Sequence, residues 1–466
     1  MKLNRRQFFT AAGFAGLFAA GGCKGFPAIT SVRSPNSRVR HLSIGCGNRA
    51  WGDINELCTH PSVEMAAFCD VDAKFLAQAK AKFPKARFYR DWREMYEKEF
   101  DSCDSVCVGA PDHHHVAMAT AAMKAGKHVY LEKPMAKTMV EAKFLRDVAA
   151  QTGVVTQMGN QGHSGNNYWQ FKHYVETGVI DVSQLRHLTA HMNNPRRWHK
   201  WNGKVSCFPK GETVPPALDW DTWLGTAAFH EYSKDYVQGE WRSWYDFGNG
   251  CLGDWGAHTM DTMHRFFDLG LPTEILIKDV KGWNPYVFPM QDTLTFKFAA
   301  KGKRPAIDLD WYEGVTNKPV LPKGYRQLAW GSDIPAAKGS TAEDAAKNLI
   351  PGKFFEMADG TAWQGGSHSS AIFMCGTDGK VPEYPKPGSN HYKNFLLAVM
   401  GLEETRSPFS VSAPLSEVFC LGCIAQRLNR GFRFDPVSLH AVDDPAADRF
   451  LYQAMREPWH QEFFKA

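Results

Sequence analysis

His41-Leu42-Ser43-Ile44-Gly45-Cys46-Gly47-Asn48-Arg49-Ala50 joins a short apolar run, His41–Cys46, to a helical pattern over Asn48–Cys58 through the motif Gly-x-Gly-x-x-Ala. In a strand–turn–helix unit of this kind each small residue has its own task. Gly45 permits the tight turn, Gly47 lets the backbone approach a diphosphate, and Ala50 lets the helix pack on the strand. The start of that helix presents unpaired N–H groups, so Asn48 and Arg49 join the two glycines and Ala50 as candidate cofactor contacts. A second strand, Val63–Val71, carries Asp70, 23 residues after Gly47. A carboxylate there bonds the adenosine ribose 2′-hydroxyl and repels a 2′-phosphate, which favours NAD over NADP.

Outward from this unit the chain alternates strand and helix. Helices are expected at Ala73–Phe83, Trp92–Glu99, Val116–Ala125 and Val140–Gln151. Strands are expected at Arg87–Tyr89, Ser105–Ala110, His128–Leu131 and Val154–Met158. Strands alternating with helices of about ten residues make a parallel, doubly wound sheet. The rhythm changes near residue 160. A helix, Tyr168–Glu176, precedes strands at Leu185–Met192, Glu274–Val280, Asp292–Phe298 and Ala306–Tyr312, and helices return at Tyr392–Val399 and Leu415–Leu428. The fold class is therefore α/β. A Rossmann domain spans residues 38–160, and an α+β domain with an open, mainly antiparallel sheet spans residues 161–440. Residues 441–466 form a C-terminal extension. Residues 313–388, rich in Gly, Pro, Ser and Lys, yield no assignment.

Composition excludes several classes. The 466 residues are 44% hydrophobic and 22% charged, which is globular rather than disordered. The net charge of +5 is spread without a basic block, so nucleic acid is not an expected partner. Residues 1–30 read as an export signal: Lys2, Arg5 and Arg6 precede a weakly apolar stretch, Phe8–Ala20, too short to span a bilayer. Arg5-Arg6-Gln7-Phe8-Phe9 looks like a twin-arginine signal, the route for proteins already folded, which implies a periplasmic or exported protein. Cys23 follows Ala20-Gly21-Gly22 and is a candidate for lipidation, although the usual leucine three residues upstream is missing. No later stretch has 18 uninterrupted apolar residues, so no transmembrane span is expected.

No metal site is expected. Three consecutive histidines, His113–His115, rarely converge on one ion, and they stand in a βα turn facing the cofactor crevice, where Pro111 and His115 are candidate cofactor contacts. Cys420-Leu421-Gly422-Cys423 lies in an apolar helical run without a second pair, which argues against metal or redox duty. Leu131-Glu132-Lys133-Pro134 ends the fifth strand. Carboxyl ends of parallel strands line the ligand crevice, where Lys133 would sit beside the nicotinamide; the commoner reading of a lysine near a strand end is a solvated surface charge, and Glu132 joins Lys133 as a candidate cofactor contact. Pro134 fixes a turn, through a cis bond in one reading.

Gly45–Ala50, Glu132-Lys133-Pro134 and Gly253-Asp254-Trp255-Gly256-Ala257-His258-Thr259-Met260-Asp261 together resemble the three signatures of the Gfo/Idh/MocA oxidoreductases. Pro111–His115, Leu415–Leu428 and Leu218-Asp219-Trp220-Asp221-Thr222-Trp223-Leu224-Gly225 are similar as well, so the resemblance covers most of residues 38–436. It implies a Rossmann domain followed by an α/β domain whose open sheet supports a homo-oligomer. It also implies that Lys133 matches the catalytic lysine and that Asp254 and His258 match the family's Asp-x-x-x-His pair. A spacing of four puts both on one helical face.

The expected chemistry is NAD-dependent oxidation of a secondary hydroxyl of a sugar, glycoside or cyclitol, with tightly held cofactor. Lys133 would stabilise alkoxide charge, His258 suits the base role, and Asp254 would orient the imidazole or bond a neighbouring hydroxyl. Whether Lys133 or His258 is the base stays open. The alternative is an NAD-dependent glycoside-cleaving enzyme that works by transient C3 oxidation and elimination. The relatives that do this typically lack the Glu-Lys-Pro triplet kept here. A non-catalytic scaffold is a third class, disfavoured by the intact Lys133, Asp254 and His258. Seven tryptophans between Trp198 and Trp255 suit stacking on sugar faces, with one or two expected in the pocket. Arg197, Trp198, His199 and Trp255 are the candidate substrate contacts, with Arg196 beside them.

Overall fold

The computed structural model describes residues 38–196, 204–326, 342–347, 349–377, 379, 381–385, 388–457 and 459. Residues 1–30, expected to be an export signal, Cys23 and the substrate candidates Arg197, Trp198 and His199 lie outside the described residues.

Six parallel strands form the first sheet: β1 Val39–Ile44, β2 Val63–Cys69, β3 Arg87–Tyr89, β4 Ser105–Val108, β5 His128–Leu131 and β6 Thr156–Met158. Their order, β3-β2-β1-β4-β5-β6, is that of a dinucleotide-binding doubly wound fold. Every residue of β4, and all of β5 but His128, is buried, as expected of central strands covered by helices on both faces. Local chemistry sets the helix ends. Thr138 and Glu141 close a capping box on the helix Met139–Thr152, and Gly153 ends it in the left-handed region at φ 65°.

The second domain holds nine strands in the order β13-β12-β11-β7-β10-β9-β8-β14-β15. These are β7 Leu185–Met192, β8 Glu274–Lys281, β9 Gln291–Phe298, β10 Ile307–Glu313, β11 Gly352–Met357, β12 Ala362–Gly366, β13 Ile372–Met374, β14 Phe432–Asp435 and β15 His440–Ala441. Among the described residues of this sheet only β7 and β10 pair in parallel; the other pairs are antiparallel. Helix Phe409–Leu428 packs against both Met139–Thr152 of the Rossmann domain and Gly250–Thr259 of the second. It is long and apolar enough to cross a membrane, yet 83% of its most apolar window is buried inside the protein, as in a core helix.

Three strands, β11–β13, occupy the stretch that sequence reading left blank. The pattern there is broken for a physical reason. Lys353 of β11 points inward, fully buried, to donate to Thr262 Oγ1 at 2.9 Å and lie 3.7 Å from Asp261. The C-terminal residues fold back on both domains. Trp459 stacks on Trp92 at 6.1 Å, and Arg456 reaches Asp221 at 2.6 Å.

The turn after β1 depends on two close approaches. Gly45 adopts φ 86°, in the region that favours glycine. A Cβ added at Gly109, just past β4, would sit 2.6 Å from the Cβ of Ala50. The small residue expected to seat the helix therefore seats it against a neighbouring loop as well. Gly109→Val is predicted to lower stability by about 1–3 kcal/mol in urea unfolding, through overpacking.

Candidate active site

A cavity of about 520 Å³ opens at the carboxyl ends of the parallel strands. Gly45, Gly47, Asn48, Arg49, Asp70, Pro111, Glu132 and Lys133 line it from the Rossmann side, and Asp254, Trp255 and His258 from the second domain. Ala50 and His115 are not among the lining residues. Ala50 packs beneath the turn. His115 is buried, its ring nitrogens bridging Pro134 O at 2.8 Å and Ala110 O at 2.9 Å. It clamps together the loops after β4 and β5 rather than facing the cleft. The Lys133–Pro134 bond between these loops is cis.

The nucleotide end fits a diphosphate and a ribose. Helix Asn48–Leu57 starts from Gly47 without a side-chain cap and without an acid in its first turn. Its first N–H groups and its dipole are thus left for an oxyanion. Asp70 accepts from the backbone N–H groups of Cys46 at 2.8 Å and Asp72 at 2.9 Å, which fixes its carboxyl at the end of β2. Burial raises its pKa to about 6, so at neutral pH it is mainly a carboxylate, an acceptor for sugar hydroxyls. Arg49 is committed elsewhere. Its guanidinium bonds Asp53 at 3.0 Å and the Tyr392 hydroxyl, and lies 3.6 Å from Glu132. Glu132 accepts from Gln161 at 2.9 Å, and burial, reinforced by Asp53, raises its pKa to about 8.

At the opposite end Lys133, at the tip of β5, donates through Nζ to Asp254 Oδ1 at 2.7 Å. Arg196 bonds the other carboxylate oxygen, and Arg242 Nε stands 3.4 Å from Oδ1. Burial pushes the Asp254 carboxyl up. Lys133, Arg242 and Arg196 overcome this and hold it well below the usual carboxylate range. Asp112, which accepts from Asn249 N at 3.1 Å, is raised by burial to about 7.

His258 lies one turn after Asp254 in the helix Gly250–Thr259. Its ring stacks on His368 at 3.9 Å with 14° between planes, and Trp255 meets both edge-on. Burial, then the charge repulsion of His368 and Lys133, drives the His258 pKa well below 6.5. His368 falls to about 4 through burial and Lys133. Both rings are therefore neutral at neutral pH. Among the described residues His258 Nδ1 is buried without a hydrogen-bond partner. The group can accept a proton, with a nearby ammonium to steady an oxyanion.

Sequence reading missed His368 and Arg242. His368 comes from the loop after β12, inside the unassigned stretch, and Arg242 from the Trp-rich segment. No local pattern marks either. Among the described tryptophans of that segment, Trp223, Trp241 and Trp255 line the cavity, one more than expected. Trp220, Trp223, Trp241 and Trp244 also form a buried cluster. Arg242 lies over the Trp241 ring at 4.2 Å, and Arg196 over Trp255 at 5.6 Å, so two of these indoles help hold the cations around Asp254.

Residues 39–160 match a sequence profile described as an oxidoreductase family, NAD-binding Rossmann fold, and residues 165–280 and 367–461 match that family's C-terminal alpha/beta domain. The chain belongs to the Gfo/Idh/MocA family of oxidoreductases. The cofactor of its Rossmann domain is NAD. Among curated relatives, a glycosyl hydrolase family 109 protein from Shewanella pealeana is 28% identical over 224 residues, 42% of this chain and 48% of that protein. An alpha-N-acetylgalactosaminidase from Shewanella oneidensis is 28% identical over 220 residues, 42% of this chain and 47% of that protein. The chain spans about half the length of the curated relatives it matches. Among solved structures, the WlbA dehydrogenase from Bordetella pertussis, in complex with NADH and UDP-GlcNAcA, aligns at TM-score 0.54 and 12% identity over 85% of this chain and 99% of its own. An aldose-aldose oxidoreductase from Caulobacter crescentus aligns at TM-score 0.51 and 13% identity over 85% and 100%. These likenesses show the shared fold.

The His pair makes stability depend on pH. A folded-state pKa near 4 for His368, against about 6.5 unfolded, means the unfolded chain binds more protons between those values. Its contribution is complete above about pH 6.5 and is lost as pH falls toward 4. In His368→Gln the slope of unfolding free energy against pH in that window, measured by urea titration, is predicted to be shallower by up to about one proton.

Proposed function

We propose that this chain is an NAD-dependent oxidoreductase that oxidises or reduces a secondary hydroxyl of a sugar, glycoside or cyclitol and keeps its cofactor bound between turnovers. The observation that carries the reading is the meeting of Lys133, Asp254 and His258 at one end of a cleft whose other end fits a dinucleotide. When bound, NAD accepts or returns a hydride at the sugar carbon. The ammonium of Lys133 donates to the reacting oxygen and stabilises negative charge developing there. Neutral His258 takes up the hydroxyl proton, while Asp254 fixes the lysine and accepts from a neighbouring hydroxyl. The tryptophans offer flat apolar faces to a sugar ring.

Export through the twin-arginine route belongs to the same reading. Arg5-Arg6-Gln7-Phe8-Phe9 supports it, because the route carries folded proteins and would carry the cofactor with them. Anchoring at Cys23 and assembly into a homo-oligomer extend the proposal. A second reading, redox-neutral glycoside cleavage, is favoured by the names of the curated relatives. Aryl-glycoside cleavage without added NAD would select it; net oxidation of free sugar would select the first.

In single-turnover experiments that follow the absorbance of reduced nicotinamide, Lys133→Met and His258→Ala are each predicted to slow hydride transfer by about 100-fold or more while retaining nucleotide. Unchanged rates in both variants would overturn the assignment.

A further inference from the structure

A second cavity, of about 310 Å³, lies among Lys137, the start of the helix Gly250–Thr259, the helix Phe409–Leu428 and the C-terminal segment 449–454. This volume falls within the usual range of small-molecule sites. Three cations line it, Lys137, Arg427 and Arg449, against one acid, Asp246. That acid is already engaged, accepting from His230 at 2.9 Å and lying 3.6 Å from Arg427. The lining therefore carries surplus positive charge. Burial, with Arg427 nearby, lowers the Lys137 pKa, a cost that an anion would relieve.

Two further lining groups are unsatisfied. Among the described residues the Tyr245 hydroxyl and Asn249 Oδ1 are buried without hydrogen-bond partners. An orphaned buried polar group is costly, and a ligand hydroxyl would satisfy both a carbonyl and a phenol. Arg427 lies over the rings of Tyr245 at 5.3 Å and Phe450 at 4.6 Å, which gives the space an ordered aromatic wall. The Cys420 and Cys423 thiols, singled out by their CxxC spacing, also line the cavity. Burial raises both pKa values and keeps them protonated, so they serve as wall rather than as reactive groups.

We propose that this cavity is a binding site, separate from the main cleft, for a small polyol carrying one phosphate or carboxylate. The cations take the oxyanion, and Tyr245 and Asn249 take hydroxyls. The site touches the backbone that carries the reaction centre. Asn249 donates through Nδ2 to Lys137 O at 3.1 Å, and its own carbonyl accepts from Gly253 N at 3.0 Å, one residue before Asp254.

The test is calorimetric titration of the NAD-loaded protein with glycerol 3-phosphate, glycerate and inorganic phosphate as probes. Saturable binding of glycerol 3-phosphate or glycerate, retained in Lys133→Met and weakened about tenfold or more in Arg427→Gln, supports the site. Arg449→Ala gives the same reading without touching the core, because Arg449 is exposed. Three results would overturn the proposal. One is no saturable binding of either polyol probe. Another is binding lost in Lys133→Met but kept in Arg449→Ala, which assigns it to the main cleft. The last is equal affinity for inorganic phosphate, which removes the role of the hydroxyls.

Discussion

The contact between Lys133 and Asp254 is the constraint on which the rest of the structure depends. It joins the tip of β5 in the Rossmann sheet to a helix of the second domain, 121 residues later in the chain. A buried ion pair is a poor way to gain stability, since desolvating both charges offsets their attraction. Its value here is positional. The lysine is held at the carboxyl edge of the sheet, where the crevice lies, and the carboxylate is held among three cations. With more positive than negative charge at this end of the cleft, an oxygen that gains negative charge during reaction finds a prepared environment.

The paired imidazoles follow from the same enclosure. Stacked at 3.9 Å in a buried setting beside Lys133, His258 and His368 cannot both carry a proton without strong repulsion. The site therefore holds two neutral rings close to an ammonium that already donates to Asp254. Asp254 fixes Lys133, and Arg196 and Arg242 bear on the same carboxylate.

Much of this was legible in the sequence. The six strands of the Rossmann sheet follow from alternating apolar runs and helical patterns, because each βα unit is local and buried on both faces. Lys133, Asp254 and His258 stand in recognisable motifs, and the structure brings them together. What escaped reading depends on distance or on a broken pattern. Lys353 disguises β11 because its charge is buried against Asp261, and His368 and Arg242 reach the cleft from loops with no periodic signature. His115 reads as a cleft residue from its place in a βα turn. Its two carbonyl partners, one of them in the loop after β5, turn it inward.

The most direct test of the central claim is a double-mutant cycle on Lys133→Met and Asp254→Asn, with the rate of hydride transfer from a sugar substrate to bound NAD as the readout. If the pair acts as a unit, the double variant will be little slower than the slower single variant, leaving a large coupling energy. Effects that simply multiply would show that the two side chains act independently, and would contradict the account.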